Sequence, residues 1–332
     1  MLKMKPNPFF PPGHALRLLQ KIQRHESAVE LVYISHERWP LSPLPIPPQP
    51  KPDTIRISVL DSSFNPPTFA HLSLANSLPA RSTINSGPPG STLASAPDLD
   101  YDARLLLLSV RNADKALKAG DATYEQRLEM MYLLSKDLSA PPSQLPERRS
   151  ESGYANVAIA IIDEPTFVGK ATVLRHFLHA RMASLHALDR RAITPTSGEI
   201  SIPSACLVFL IGFDTLVRLL SPRYYASEAA MMDALRLFFS SDGDDCYVVC
   251  ARRTPAGVEH AMQEELEAKT LSAAKEFVEK GRVALIDIGA DEISSSEVRR
   301  EVALNDETWK RLVTTSIADY IIQNRLYASE TT

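Results

Sequence analysis

The sequence predicts an α/β protein with a doubly wound, mostly parallel sheet and helices on both faces. Three observations carry this. Short strand-like runs at 55–60, 104–110, 156–162, 205–211, 246–251 and 283–288 alternate with longer helical patterns at 68–78, 123–138, 168–187, 227–239 and 256–280. Such alternation implies βαβ units with right-handed crossovers. Polar or charged residues follow each strand run, and ligands of an open parallel sheet bind at the carboxyl ends of its strands. The first run also ends in a tight polar turn that feeds a helix.

The totals bound the rest. A chain of 332 residues holds one large or two ordinary domains with ample core. A net charge of −4 and a pI near 6.1 give no general affinity for nucleic acid, so any anion site is local. Three cysteines are too few for a disulfide framework, and Cys246 and Cys250 lack the second pair that a zinc site needs. The N-terminus has no apolar signal region, and the most apolar run, 206–220, is interrupted by Asp214 and Arg218. The expectation is a soluble protein of the cytoplasm, with the nucleus also open, and no membrane partner.

Residues 1–53 read as an N-terminal extension. It contains a short helix over 14–24 and a strand over 29–35. Seven prolines in 40–52 make a stiff linker. A packed accessory and a partly disordered tail are both open, with the tail favoured. The main domain is expected over 54–328, with Ser/Pro/Gly-rich surface insertions near 79–102, 141–154 and 192–203.

The chain is organised around 58–71, SVLDSSFNPPTFAH. A strand, a polar turn and a helix N-terminus place backbone N–H groups and a helix dipole where an anionic phosphate binds. Pro66 and Pro67 suit a helix start. Thr68 and His71 are three apart and share a helix face, so a hydroxyl and an imidazole reach the same oxygens. Ser62 and Ser63 add hydroxyls to the turn that Phe64 closes.

The later rim residues extend the pattern. Lys115 follows the second run, with Arg127 and Met130 on the next helix. The acidic pair at 163–164 follows the third, Gly212 and Asp214 the fourth, and Arg252 and Arg253 the fifth. Asp214 also reads as a helix N-cap. After the sixth comes ISSSEVRR, residues 293–300. Ser294 and Glu297 form a capping box that needs no ligand. Three serines at the helix start, with Arg299 one turn on from Ser296, also make an oxyanion cradle with a guanidinium clamp.

Taken together, 58–71 resembles the GxFxPxTxxH signature of the nucleotidylyltransferase superfamily, and its FNPPT core is most similar to nicotinamide mononucleotide adenylyltransferases. Ser62 stands where that signature has Gly, and Ala70 where many members have another. ISSSEVRR resembles the ISSTxxR motif with Ser296 in the place of Thr. FLIGFDTL, residues 209–216, resembles the GxDxL region, and DEPTFVGKATVL, residues 163–174, the acidic–aromatic–TxxL stretch, with Phe167 where a Trp is usual. The closing helix, SIADYIIQNRLY, is also similar. The resemblance runs in order over most of 55–327, and the insertions fit a divergent, fungal-type branch.

The resemblance implies a Rossmann-like fold and adenylyl transfer from ATP to nicotinamide mononucleotide, giving NAD and pyrophosphate. It implies that His71 and Arg299 are catalytic. Ser62, Ser63, Phe64, Thr68, His71, Gly212, Asp214, Ser294, Ser295, Ser296 and Arg299 would bind ATP, and Lys115, Arg127, Met130 and Phe167 the mononucleotide. Mg²⁺ would accompany ATP, with no protein ligand required. Two alternatives stay open at this point: transfer to another phosphate acceptor, and an ATP-binding or ATP-hydrolysing regulator on the same fold. Nothing in the residues speaks to oligomeric state or to nicotinate against nicotinamide.

Overall fold

A computed structural model describes residues 9–43, 53–77, 101–111, 120–138, 156–192, 202–252, 259–289 and 293–329. Seven strands form one sheet: β1 (Val29–Ile34), β2 (Thr54–Asp61), β3 (Ala103–Ser109), β4 (Val157–Ile162), β5 (Ser204–Gly212), β6 (Tyr247–Ala251) and β7 (Val283–Ile286). Their spatial order is β1-β4-β3-β2-β5-β6-β7. From β4 to β7 every neighbouring pair is parallel, and the order reverses between β2 and β5. That is the doubly wound arrangement, whose crevice opens at the carboxyl ends of the two strands flanking the reversal.

Successive residues of a strand point to opposite faces, so one strand feeds two cores. Ile57, Val59, Leu105, Leu107, Ala160, Phe209 and Ile211 point to one face. There they meet α4 (Phe167–Ala192), α5 (Phe213–Leu219), α6 (Glu228–Phe239) and α8 (Lys275–Glu279). Leu60, Leu106, Leu108, Ile161, Val208 and Leu210 point to the other, against α1 (His14–Gln23), α2 (Phe69–Asn76) and α3 (Tyr124–Asp137). Both faces are covered, which is why the central strands are apolar almost throughout. The helical pattern at 256–280 is two helices, α7 (Glu259–Ala273) and α8, separated at Ala274. A third cluster packs α9 (Ser295–Ala303) and α10 (Thr315–Asn324) onto α3 through Val298, Trp309, Ile317 and Met130. It fixes α9 with its N-terminus on the rim of the crevice.

Residues 9–43 of the segment read as an extension are part of this body. β1 pairs antiparallel with β4 and closes that edge of the sheet. Leu18, Leu19 and Ile22 of α1 are buried on one face, and Trp39 is fully buried on the other. The backbone around Trp39 is tied down as well: Arg181 Nε donates to its carbonyl at 2.6 Å, and Asn156 Nδ2 donates to Pro40 O at 2.9 Å. The segment therefore wraps from one face of the sheet to the other, and the fold begins before residue 54. Most of the three insertions, and Lys115, lie outside the described residues. No helix among the described residues is long and apolar enough to cross a membrane.

Candidate active site

A cleft of about 290 Å³ opens where the strand order reverses. Its floor is the end of β2, Leu60 to Ser62, and the end of β5, Leu210 to Gly212. His71, Asp214, Arg218, Ile288, Ile293 and Ser294 line the cleft as well. The sheet thus brings His71, Ser62, Gly212, Asp214 and Ser294 together from three separate stretches of chain.

The turn from β2 to α2 has a specific shape. Ser62 N–H continues the ladder, donating to Leu107 O at 3.3 Å. Phe64 is then left-handed, at φ 46°, a conformation that costs a bulky L-residue about 1–3 kcal/mol. Its ring is fully buried in the core cluster on the α2 face of the sheet, tilted against the His71 ring with centroids 5.6 Å apart, and this burial offsets the strain. Phe64 therefore contributes backbone, not side chain, to any site here. The helix starts after the two prolines, at Phe69, with Thr68 as N-cap.

His71 is held at both nitrogens. Thr68 N–H donates to Nδ1 at 3.1 Å, and Thr68 Oγ1 lies 2.9 Å from the same atom. A nitrogen that accepts a backbone N–H carries no proton, so the neutral ring is protonated on Nε2. Nε2–H then donates to Ser62 Oγ, 2.9 Å away. Burial lowers the His71 pKa from 6.5 to about 4, so this neutral tautomer is the form present at physiological pH.

The serine-rich helix is stapled to the turn. Ser294 caps α9, accepting from Glu297 N–H at 3.1 Å, which is the serine half of the expected capping box; the Glu297 carboxylate instead lies 3.8 Å from Arg300. Ser295 Oγ donates to Pro66 O at 2.8 Å. Arg299 Nη1 donates to Asn65 O at 2.6 Å, and its Nη2 to Ser296 Oγ at 3.1 Å. Ser296 is exposed, and Arg300 points away with Glu297 at 3.8 Å. The helix N-terminus, two serines and a guanidinium therefore meet the phosphate-type turn.

A buried polar network behind the turn, legible in no single motif, holds these parts. Asn65 Nδ2 donates to Asp121 Oδ1 at 2.7 Å, while Asn65 Oδ1 accepts from Ala122 N–H at 3.2 Å and from Tyr327 OH at 2.9 Å. Arg127 is buried. It donates to Ala122 O at 2.9 Å and to Ser63 O at 3.4 Å, and its Nη2 lies 3.5 Å from Asp121. Arg299 Nε lies 3.8 Å from the same carboxylate. Burial pulls the Arg127 pKa down, and Asp121 opposes that. Two guanidiniums sharing one carboxylate leave the turn with a net positive charge, which suits a polyanion. Arg299→Ala is therefore expected to weaken binding of inorganic triphosphate at least tenfold, the size of one lost charge-assisted hydrogen bond of about 1.5–3 kcal/mol. Calorimetry checks this, and unchanged affinity would remove Arg299 from the anion site.

The other expected site residues take different places in the fold. Met130 has no exposed surface and packs in the third cluster, so it supports α9 rather than touching a ligand. Arg127 acts from beneath the turn, through the Ser63 carbonyl and Asp121. Asp214 sits inside the first turn of α5, whose N-cap is Gly212. A Cβ built on Gly212 meets nothing within 4 Å, so the space over it is open to a ligand. Phe167 stands on the rim half-buried, with its edge on Phe209 at 5.7 Å and the Lys170 ammonium 5.0 Å from its ring centre. Lys170 in turn pairs with Asp61 at 2.5 Å beneath the cleft, both almost fully buried. Arg252 lines the far wall, paired with Glu267 at 3.2 Å, while Arg253 lies outside the described residues.

No family model matches this chain. A protein of Schizosaccharomyces pombe, named provisionally as a nicotinamide mononucleotide adenylyltransferase, is 28% identical over 260 residues, covering 77% of this chain and 80% of that protein. Among solved structures, the Plasmodium falciparum nicotinic acid mononucleotide adenylyltransferase complexed with APC aligns over 82% of this chain and 97% of its own. Its TM-score is 0.37 and its identity 13%, too low to bear on the site.

Proposed function

We propose that this chain is a nucleotidyltransferase that moves the adenylyl group of ATP onto the phosphate of a pyridine mononucleotide, nicotinamide mononucleotide first, forming NAD and releasing pyrophosphate. The observation that carries the proposal is the convergence at the reversal of strand order. There a neutral, donor-only edge of His71 and the stapled N-terminus of α9 face one phosphate-type turn. The similarity to the fission-yeast relative supports the same chemistry over most of the chain.

The geometry suits in-line displacement. An acceptor phosphate oxygen is already anionic, so it attacks the α-phosphorus without a general base, and the bridging P–O bond to the β-phosphate breaks as pyrophosphate leaves. What remains for the protein is positioning and neutralisation of charge. Ser294, Ser295, Ser296 and Arg299 would hold the outgoing phosphates, with Ser63 and Thr68 completing the turn. The open space over Gly212, the Asp214 carboxylate and the apolar wall of Ile288 and Ile293 suit a nucleoside. Magnesium would accompany ATP as part of the substrate and would offset the charge of the triphosphate.

The test is dinucleotide formation by the purified full chain from ATP, magnesium and either nicotinamide or nicotinate mononucleotide, followed by chromatography. Turnover with either acceptor supports the class, and their ratio assigns the acceptor. ATP binding with no dinucleotide from either acceptor would overturn it in favour of a nucleotide-binding regulator.

A further inference from the structure

We infer that Ser62 is a catalytic residue whose hydroxyl donates directly to the transferring phosphate, with His71 acting through it as a positioning residue. The inference rests on the adenylyl-transfer reading above and concerns which atom meets the substrate.

The argument is one of hydrogen-bond direction. His71 Nδ1 is occupied by the Thr68 N–H, so its only proton is on Nε2, and that proton points at Ser62 Oγ, 2.9 Å away. Nε2 has no lone pair left, so the Ser62 hydroxyl cannot donate back to it. The hydroxyl proton must turn elsewhere. Ser62 and His71 both line the cleft, and Ser62 sits on its floor at the end of β2. The proton is therefore available to a ligand in the cleft. An oxygen that accepts a hydrogen bond becomes a better donor, because the two bonds polarise one another. Nε2–H to Oγ, then Oγ–H to a phosphate oxygen, forms a two-step relay. The same tautomer excludes the opposite use of the pair: His71 has no free nitrogen with which to take a proton from Ser62, so the pair does not make a nucleophilic serine. Through the transfer step the hydroxyl proton stays on Ser62, and the hydrogen bond shortens as charge builds on the phosphate.

The relay and a direct contact from His71 make opposite predictions for a glycine at position 62. If His71 itself reaches the phosphate, removing the Ser62 side chain frees Nε2–H and leaves the rate unchanged or raised. If Ser62 is the donor, the substitution removes it. We would compare Ser62→Gly, Ser62→Ala and Ser62→Thr in kcat at saturating ATP and mononucleotide, with ATP affinity measured by calorimetry. Thermal melts of each variant establish that it is folded. The relay predicts a fall in kcat of about 10²-fold for Gly and Ala, the usual loss for one donor to a developing oxyanion. It predicts recovery to within a few-fold in Thr, which keeps the hydroxyl. It also predicts that Ser62→Ala combined with His71→Ala is no slower than His71→Ala alone, because the two act as one unit. A Ser62→Gly enzyme as fast as the parent would overturn the relay while leaving the adenylyl-transfer reading intact. Should the parent chain bind ATP without transferring, the function fails instead, and the relay is then read in affinity. ATP would bind roughly tenfold more weakly to Ser62→Gly, and equal binding would overturn it.

Discussion

Replacing His71 with alanine is expected to lower kcat by about 10²-fold or more, with a far smaller change in the KM for either substrate. The ring does little to bind the ground state, because its donor edge is already engaged by Ser62 at 2.9 Å. Its contribution grows only as charge develops on the phosphate, so the loss falls on kcat. A kcat within a few-fold of the parent at saturating substrate would sink the role, whether direct or relayed. The pH dependence gives a second check, and its sign follows from the lowered pKa. His71 in the fold titrates near 4, whereas in the unfolded chain it titrates near 6.5. Between those values the unfolded chain binds a proton that the folded one refuses. Stability from this group is therefore fully present above about pH 6.5 and is lost as the pH falls towards 4. On the proposed reading the neutral Nε2–H form is the donor, so kcat should show no inflection from His71 between pH 8 and 6. A pH–rate profile with a midpoint near 6.5 would show that the imidazolium takes part.

Much of the frame was legible because physics writes it locally. Strands covered on both faces must be apolar along their length, and runs such as 104–110 and 205–211 announce themselves. Alternation with helices then leaves few topologies, and the carboxyl-end rule points to the rim. The capping of α9 by Ser294 is likewise a short-range pattern. What escaped was long-range. β1 is six residues of antiparallel edge, separated from the domain by a proline-rich stretch that reads as a linker. Only the fold shows that Trp39 fills the core on the far face of the sheet. Met130 illustrates the opposite failure. Its place beside Arg127 on α3 is compatible with a pocket or a core, and only the packing of α9 and α10 decides for the core. Asp121 and Tyr327 carry no motif of their own. They matter because Asn65, 56 and 262 residues away in sequence, needs partners for its buried amide. The left-handed Phe64 is a further case, since strain of this kind is a property of the surrounding fold.

The pair of Asp61 and Lys170 is the most consequential of these distant contacts, and Lys170→Met is expected to cost about 3–5 kcal/mol of folding stability. The two side chains lie 109 residues apart in sequence, 2.5 Å apart in space, and each is exposed by less than a tenth. Methionine keeps the length and apolar stem of lysine but leaves the Asp61 carboxylate buried without its counter-ion. Removing both charges together should be much milder, because a buried ion pair gains little over an uncharged pair of similar volume. Asp61→Asn with Lys170→Met is therefore expected to recover most of the loss, and a double-mutant cycle by urea denaturation measures the coupling. A pair that matters this much to the fold sits directly beneath the cleft, with Asp61 forming part of its floor. Its second consequence is electrostatic. Lys170 offsets the Asp61 carboxylate that lines the cleft beside Ser62, so on the proposed reading a triphosphate there would meet Arg299 with less repulsion from Asp61. The uncharged double variant should accordingly bind ATP nearly as well as the parent, whereas Lys170→Met, even where it folds, should bind it markedly more weakly. Equal stability of single and double variants would show that Asp61 has found another partner, and would remove the pair from both roles.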